Sequence, residues 1–351
     1  MERRIVIMAG GTGGHVFPAL AVAEWLRAQG WQVSWLGTKS GLESRLVPER
    51  GFVIDWLSVT GVRGKGLLTK FKSVFLLIAA CLQAWKILRK RKPDVVLGMG
   101  GFVAGPGGLV AKILGIPVVI HEQNRVPGTT NRLLAYLADE VLEAFPGSFK
   151  KEVGARWTGN PLREEFQAIP KKTRTETDSR VRILVIGGSQ GAKALNDVMP
   201  ETAAALADLQ IKHQTGSAMC DEVTQRYQAL KVDAEVVAFI DDIVNAYRWA
   251  DIVICRAGAM TVSEIAAAGV PAIFVPYPYA IDDHQVANAR YLADAGGGVL
   301  LLQKDLNATT LAEQIKKVNE HKVEISRAAQ TCAKLDATKT VAECCIAEAR
   351  S

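Results

Sequence analysis

A chain of 351 residues is longer than one ordinary hydrophobic core supports, so two domains are expected. With 49% hydrophobic and 22% charged residues it has the balance of a globular protein, which excludes a disordered or fibrous class. Its six cysteines form no CxxC pair and no cluster with histidine, which argues against a zinc site or a disulfide framework and for a reducing compartment.

The start, MERRIVIMAGG, sets basic residues before an apolar stretch too short for a secretory signal. Arg4 to Ile7 predicts a strand. It runs into MAGGTGGHVFPAL (residues 8–20), whose glycines break the strand before a helix predicted from Pro18 to Gln29. Gly30 stops that helix, and QVSWLG reads as the next strand.

The net charge of +6 is unevenly spread. Between Gly61 and Pro93 stand nine Lys or Arg and no acid, while outside this segment 33 basic residues face 36 acidic ones. Inside it, Val74 to Leu82 is a run of nine apolar residues, far short of the ~20 that a spanning helix needs. Phe71, Phe75, Ile78, Leu82 and Trp85 recur at helical spacing. Two readings fit: a core helix with a solvated basic face, or a helix lying on an anionic membrane surface. Nucleic acid fits less well, because aromatic stacking platforms and groove-reading motifs are missing.

The segment PDVVLGMGGFVAGPGG then repeats the plan of strand, glycine loop and helix, the helix running to Leu114, and IPVVIHEQN supplies another strand. PLREEFQAIPKKTRTETDSR, polar and with two prolines, reads as a linker. Beyond it VRILVIGGSQGAKAL aligns with RIVIMAGGTGGHVF, and DIVICRAGAMTVSEIAAAGVPAIFVPY mirrors DVVLGMGGFVAGPGGLVAKILGIPVVIHE. Alternating strands and helices of this length form parallel βαβ units. The expected architecture is α/β: two Rossmann-like domains facing across a cleft. They span residues 1–162 and 181–335, with a linker at 163–180 and a last helix at 336–351 that packs back on the first domain.

Glycines between a strand and a helix let backbone N–H groups approach an anion, and the helix N-terminus adds positive potential. A phosphate-bearing ligand follows. No GxxxxGK[ST] string occurs, and the second strand ends WLGTKS without the carboxylate that a dinucleotide site places there. No Asp-x-Asp string occurs either, so a metal-held diphosphate lacks its usual ligands; neither cofactor nor metal is expected.

Two residues carry chemistry on position alone. His15 lies at a helix N-terminus, where the protonated imidazole is disfavoured and the proton-accepting form favoured. It is either a general base or a histidine that bonds the loop or a ligand. Glu264 sits in AMTVSEIAAAG, in a helix predicted to begin near Thr261, where its carboxylate suits the paired hydroxyls of a ribose. Thr261 and Glu264 also have capping-box spacing, the plainer alternative.

The stretches GGTGGHVFPALAVA, GMGGFVAGP, HEQN, TGNPLR, GGSQGA and CRAGAMTVSEIAAAGVPAIFVPYPYAIDDHQVANA resemble the MurG family of glycosyltransferases, in order and over nearly the whole chain. The resemblance implies a GT-B fold and an inverting transfer of N-acetylglucosamine. The donor is UDP-N-acetylglucosamine. The acceptor is the muramyl 4-hydroxyl of lipid I, undecaprenyl-pyrophosphoryl-N-acetylmuramyl-pentapeptide, and the product is lipid II for peptidoglycan. It implies a peripheral protein on the cytoplasmic face of the bacterial inner membrane, docked through residues 61–93 on an anionic surface. The nearest rivals are a UDP-N-acetylglucosamine epimerase on the same frame and a non-catalytic sugar-nucleotide-binding membrane subunit.

By the same resemblance, the donor site comprises Thr12, Gly13, Gly14, Asn124, Arg163 and Ser189, with Ile240 offering backbone contacts to uracil. Ala259, Met260 and Thr261 cradle the diphosphate together with Ser189; Val262 and Ser263 belong to the same donor site, Glu264 holds the ribose, and Gln285 and Asn288 hold sugar hydroxyls. The acceptor pyrophosphate is expected at the second loop, on Gly98, Gly100, Gly101 and Gly105, with Glu122 helping to position the acceptor and His15 as the base.

Overall fold

The computed structural model describes residues 2–59, 67–166, 180–188 and 191–349. Contacts divide the chain into one unit of residues 1–163 with 335–351 and another of residues 164–334. Most of the expected linker, residues 167–179, lies outside the described residues, as does Ser189.

The first unit holds strands β1 (Arg4–Ala9), β2 (Gln32–Gly37), β3 (Val53–Trp56), β4 (Val95–Gly100), β5 (Val118–Glu122), β6 (Glu140–Glu143) and β7 (Arg156–Trp157). Its helices are α1 (Gly13–Ala28), α2 (Glu43–Glu49), α3 (Leu67–Arg91), α4 (Ala104–Ile113) and α5 (Thr129–Leu134). The second unit holds β8 (Val181–Ile186), β9 (Leu209–Gln214), β10 (Ala234–Val237), β11 (Ile252–Cys255), β12 (Ala272–Phe274) and β13 (Val299–Leu300). Helices α6 (Lys193–Ala204), α7 (Cys220–Ala229), α8 (Ile243–Trp249), α9 (Ala259–Ala268), α10 (His284–Ala293), α11 (Ala308–Glu320) and α12 (Lys322–Thr331) surround them. The last helix, α13 (Ala337–Glu348), returns to the first unit, where Val341, Ala342 and Cys345 are buried with Leu20, Ala23 and Leu26 of α1 in one core cluster.

The strands pair in parallel, in the orders β3-β2-β1-β4-β5-β6-β7 and β10-β9-β8-β11-β12-β13. Both are the doubly wound order, in which the sheet reverses direction between its first and fourth strands. The central strands are continuously apolar because helices cover both faces; Ile5 to Ala9 are all buried. Ligands in such sheets bind beyond the carboxyl ends of the strands at the reversal, so the loops after β1 and β4, and after β8 and β11, are the positions to inspect.

Two helices start earlier than the sequence predicts. α1 begins at Gly13, with Thr12 in extended conformation as its N-cap, and Pro18 lies inside it. Proline fits helical φ and lacks only one amide, so it marked a start that the backbone had already made. α9 begins at Ala259, after Gly258, two residues ahead of Thr261. Gly98 belongs to β4, not to the loop expected there: it is buried and pairs with Ile120, and a Cβ on it would press on that residue at 3.3 Å.

Candidate active site

In the first unit the loops after β1 and β4 touch. A Cβ on Gly101 (φ +80°) would lie 2.4 Å from the Gly10 carbonyl oxygen, so only glycine permits this approach. The loop after β1 is also built around a carboxylate. Glu43 of α2 is wholly buried and accepts hydrogen bonds from Gly11 N (2.9 Å), Thr38 N (2.8 Å) and Thr38 Oγ1 (2.7 Å). Gly10, Gly37 and Gly41 each leave room for its side chain. One loop amide is therefore engaged internally, while Gly13 and Gly14 open α1, where a helix leaves its first amides without an internal partner.

His15 stands in the first turn of α1, at the helix N-terminus. Its ring lies over the bare face of Gly100, where a Cβ would come within 2.9 Å of it. Its Nδ1 meets Gln123 Oε1 at 2.7 Å. Gln123 Nε2 in turn lies 3.0 Å from His121 Nδ1 and 3.0 Å from the His121 carbonyl, and His121 Nε2 lies 2.9 Å from the Gly159 carbonyl. Thus GGTGGH, HEQN and the TGN of TGNPLR, far apart in sequence, converge on one imidazole.

Glu122 is engaged within its own loop. It is buried, and its carboxylate accepts from Asn124 N (2.9 Å), Asn124 Nδ2 (3.3 Å), Gly128 N (3.1 Å) and Asn131 Nδ2 (2.9 Å). These bonds make Glu122 a brace for the loop between β5 and α5. Gly105 lies in the first turn of α4 beside Thr130, which leaves Gly100, Gly101 and that turn around the second loop. Arg163 is partly exposed at the end of TGNPLR.

In the second unit, Ala259, Met260 and Thr261 form the first turn of α9, whose leading amides have no partner within the helix. Val262 is buried, and Ser263 is partly exposed. Glu264 is six residues into the helix, too far from the N-cap Gly258 to close a capping box. It accepts instead from the Tyr247 hydroxyl at 3.0 Å. Gln285 Oε1 accepts from Tyr277 N (2.9 Å) and Ala257 N (3.3 Å). Asn288 is wholly buried and donates to the Ala257 carbonyl (3.2 Å), which ties it to the loop after β11. Ile240 follows β10, beside the exposed ring of Phe239.

A third feature lies on the helices of the first unit. Of the described side chains of α3, Ala80, Ala84 and Leu88 are buried, whereas Phe75 is 70% and Leu82 61% exposed, with Val74, Leu77 and Ile78 also exposed. Of the predicted apolar stripe, Phe75, Ile78 and Leu82 therefore face outward, whereas Trp85 is partly buried against the core. Leu109 and Ile113 of α4, which packs on α3, and Leu133 (66% exposed) of α5 with the following Tyr136 (78%) extend the exposed apolar residues. Lys86, Arg89 and Lys90 are exposed; Arg91 is paired with Asp55 at 2.6 Å. Among the described residues no helix is long and apolar enough to cross a membrane. Residues 60–66, and the side chains of residues 67–73 with Lys70, Phe71 and Lys72, lie outside what is described.

Residues 5–143 match the glycosyltransferase family 28 N-terminal domain and residues 182–343 the glycosyltransferase family 28 C-terminal domain. A curated UDP-N-acetylglucosamine--N-acetylmuramyl-(pentapeptide) pyrophosphoryl-undecaprenol N-acetylglucosamine transferase from Methylococcus capsulatus is 57% identical, with 99% of each chain covered. The crystal structure of Acinetobacter baumannii MurG superposes with a TM-score of 0.84 at 39% identity, over 98% of this chain and 99% of that one. The chain belongs to the MurG family of glycosyltransferases. A transferase of the same name from Shewanella amazonensis is 50% identical over 98% of this chain and 97% of its own. A UDP-N-acetylglucosamine 2-epimerase superposes with a TM-score of 0.66 at 13% identity, a likeness of fold alone. As a MurG-family chain with two parallel-sheet domains of the GT-B class, it is an enzyme that transfers a hexosyl group.

Nothing in the sequence assigns tasks to Gln123, Glu43 or Tyr247, which the fold sets against His15, Thr38 and Glu264. Gln123 was visible as part of a motif. Glu43 carries no signal beyond its neighbours Gly37 and Gly41, whose purpose appears only when the loop folds onto it.

Proposed function

We propose that this MurG-family enzyme moves N-acetylglucosamine from UDP-N-acetylglucosamine to the 4-hydroxyl of the muramyl sugar of lipid I, with inversion, giving lipid II for peptidoglycan synthesis. The observation that carries this reading is His15, fixed at the sheet reversal of the first unit by Gln123 and seated on Gly100. Inversion is a single displacement. The acceptor oxygen forms a bond to the anomeric carbon as His15 takes its proton, and the bond to UDP breaks with the electron pair leaving on the diphosphate. That growing charge needs donors fixed in advance, which the first turn of α9 supplies through Ala259, Met260 and Thr261. Glu264, oriented by Tyr247, accepts from the ribose, and Ile240 pairs with uracil through its backbone. Thr12, Gly13, Gly14, Asn124, Arg163 and Gln285 complete the donor contacts. The acceptor pyrophosphate lies at the first turn of α4, beside Gly100 and Gly101.

The protein docks as a peripheral protein on the cytoplasmic face of an anionic bilayer, through α3 and its neighbours. Exposed apolar side chains flanked by Lys86, Arg89 and Lys90 support this, since each basic residue near such a surface contributes about 1 kcal/mol. Arg91 is left out of that set by its pairing with Asp55.

The test is incubation of the purified chain with UDP-N-acetylglucosamine and a short-chain lipid I analogue, with the disaccharide product and UDP followed together. Stoichiometric appearance of both is expected. Conversion of the sugar nucleotide to its 2-epimer without acceptor would support an epimerase, and binding without turnover would support a non-catalytic subunit.

A further inference from the structure

We propose that Gln123 and His121 are positioning residues that fix the tautomer of His15, leaving Nε2 as the nitrogen that receives the acceptor's proton. The inference rests on His15 being the base of the proposed transfer. It starts from Gly159, whose carbonyl can only accept; His121 Nε2, 2.9 Å away, must carry a proton. Burial of that ring disfavours the cation and holds His121 at about 4, below the ordinary histidine range. A neutral ring protonated on Nε2 presents a lone pair at Nδ1. Gln123 points one end of its amide at this Nδ1 and at the His121 carbonyl, each at 3.0 Å, and two acceptors require the NH2 group. The amide oxygen therefore faces His15, and across 2.7 Å it accepts a proton held by Nδ1. His15 Nε2 is left as the proton acceptor, and no hydrogen bond ties it to a described residue.

The direction of this relay matters because an isolated neutral imidazole favours the opposite tautomer, with Nε2 protonated and unable to act as a base. The identity of the protonated nitrogen is set by what the other one meets. Other ionisable groups on the packed elements are already engaged. Glu43 under the first loop is bonded to Gly11 and Thr38, and Glu122 at the end of β5 is bonded to Asn124, Gly128 and Asn131. The stretches 8–20 and 98–111 hold no Lys, Arg, Asp or Glu.

The test is read first in the resting wild-type protein, labelled with 15N-histidine and observed by long-range proton–nitrogen NMR. The chain has five histidines, and the His15 signals are assigned by their loss in His15→Asn. Protonated Nδ1 and bare Nε2 are expected; a proton on Nε2 overturns the proposal without any variant having to fold. Gln123→Met keeps the bulk and removes both polar ends. It should lower kcat about ten- to hundredfold, leave UDP affinity within about twofold, and move His15 toward the Nε2-protonated form. Gln123→Glu retains an acceptor for Nδ1–H and adds negative charge, so it should keep more of kcat and shift the acidic limb of the rate profile to higher pH. Unchanged kcat in Gln123→Met, or a loss of UDP affinity as large as the loss of kcat, would also overturn it. A wild-type protein that moves no sugar to the lipid I analogue removes the transferase reading instead, while the NMR result stands apart from activity.

Discussion

His15 is held by its helix, by Gln123 at Nδ1 and by Gly100 beneath the ring, so little of its orientation is left to chance. His15→Ala should lower kcat by about 10²–10⁴ while UDP affinity, measured by titration calorimetry, stays near wild type. The remaining rate should lose its acidic limb. A variant that binds UDP poorly yet turns over normally at saturation would make His15 a donor contact. On the other unit, Glu264→Ala should raise KM for the UDP-sugar far more than for the acceptor, by an amount worth about 1.5–3 kcal/mol. Tyr247→Phe should act in the same direction and less, because it removes only the bond that orients the carboxylate. If UDP binding is intact in Glu264→Ala, the ribose assignment fails. The residues that carry charge or a proton were legible in sequence because their chemistry is scarce: His15 is one of five histidines. The ones that hold them were not. For Glu122 and Asn288 the resemblance implies roles toward the acceptor and the sugar, and the sequence alone says nothing of what holds them. Their burial and internal hydrogen bonds are facts of the folded loop.

Among the elements, β1, β4, β8 and β11 were legible because strands buried on both faces are continuous apolar runs. Helix starts were harder. Pro18 and the Thr261–Glu264 pair each imitate an N-terminus, while the actual N-caps, Thr12 and Gly258, use extended backbone and make no side-chain cap bond. The composition of α3 allowed two orientations, since the same period suits a buried or an exposed stripe. The buried face is set by Ala80, Ala84 and Leu88, with Trp85 and Ile87 packed beside them, while Phe75, Leu77, Ile78 and Leu82 turn outward. Binding to vesicles should therefore rise with anionic lipid content and fall only in part at high salt, because screening acts within about 8 Å at physiological ionic strength and leaves apolar insertion intact. Phe75→Ser with Leu82→Ser should weaken the salt-resistant part, and Lys86→Glu with Lys90→Glu the salt-sensitive part. Each pair should spare activity on a water-soluble acceptor. Equal loss on soluble and membrane-embedded acceptors in a folded variant would count against docking.

Over the whole molecule the same strand order occurs twice, which the aligned segments VRILVIGG and RIVIMAGG already announced. Each copy also buries one neutral histidine. His121 in the first unit is held at about 4 and His213 in the second at about 3, both by loss of solvation. His213 is wholly enclosed, donating from Nε2 to Asn196 Oδ1 (3.1 Å) and accepting the Tyr227 hydroxyl at Nδ1 (3.0 Å). An unfolded histidine titrates near 6.5, so below that pH the unfolded chain binds protons that the folded chain refuses, and stability falls as pH falls. Between about 6.5 and 4 each unit should lose roughly 1.4 kcal/mol per pH unit, or about 2 kcal/mol by pH 5. Carboxylates held low by a partner, such as Glu201 bonded to Arg226, add their losses only below their ordinary range near 4.5. Urea unfolding of the intact chain at pH 7 and pH 5, followed by circular dichroism, should show both units destabilised in the histidine window. His213→Gln, which keeps one donor and one acceptor, should be less stable at pH 7 yet lose the pH dependence of the second unit alone. If that unit keeps its full slope between pH 7 and 5 in the variant, the buried histidine is not its source.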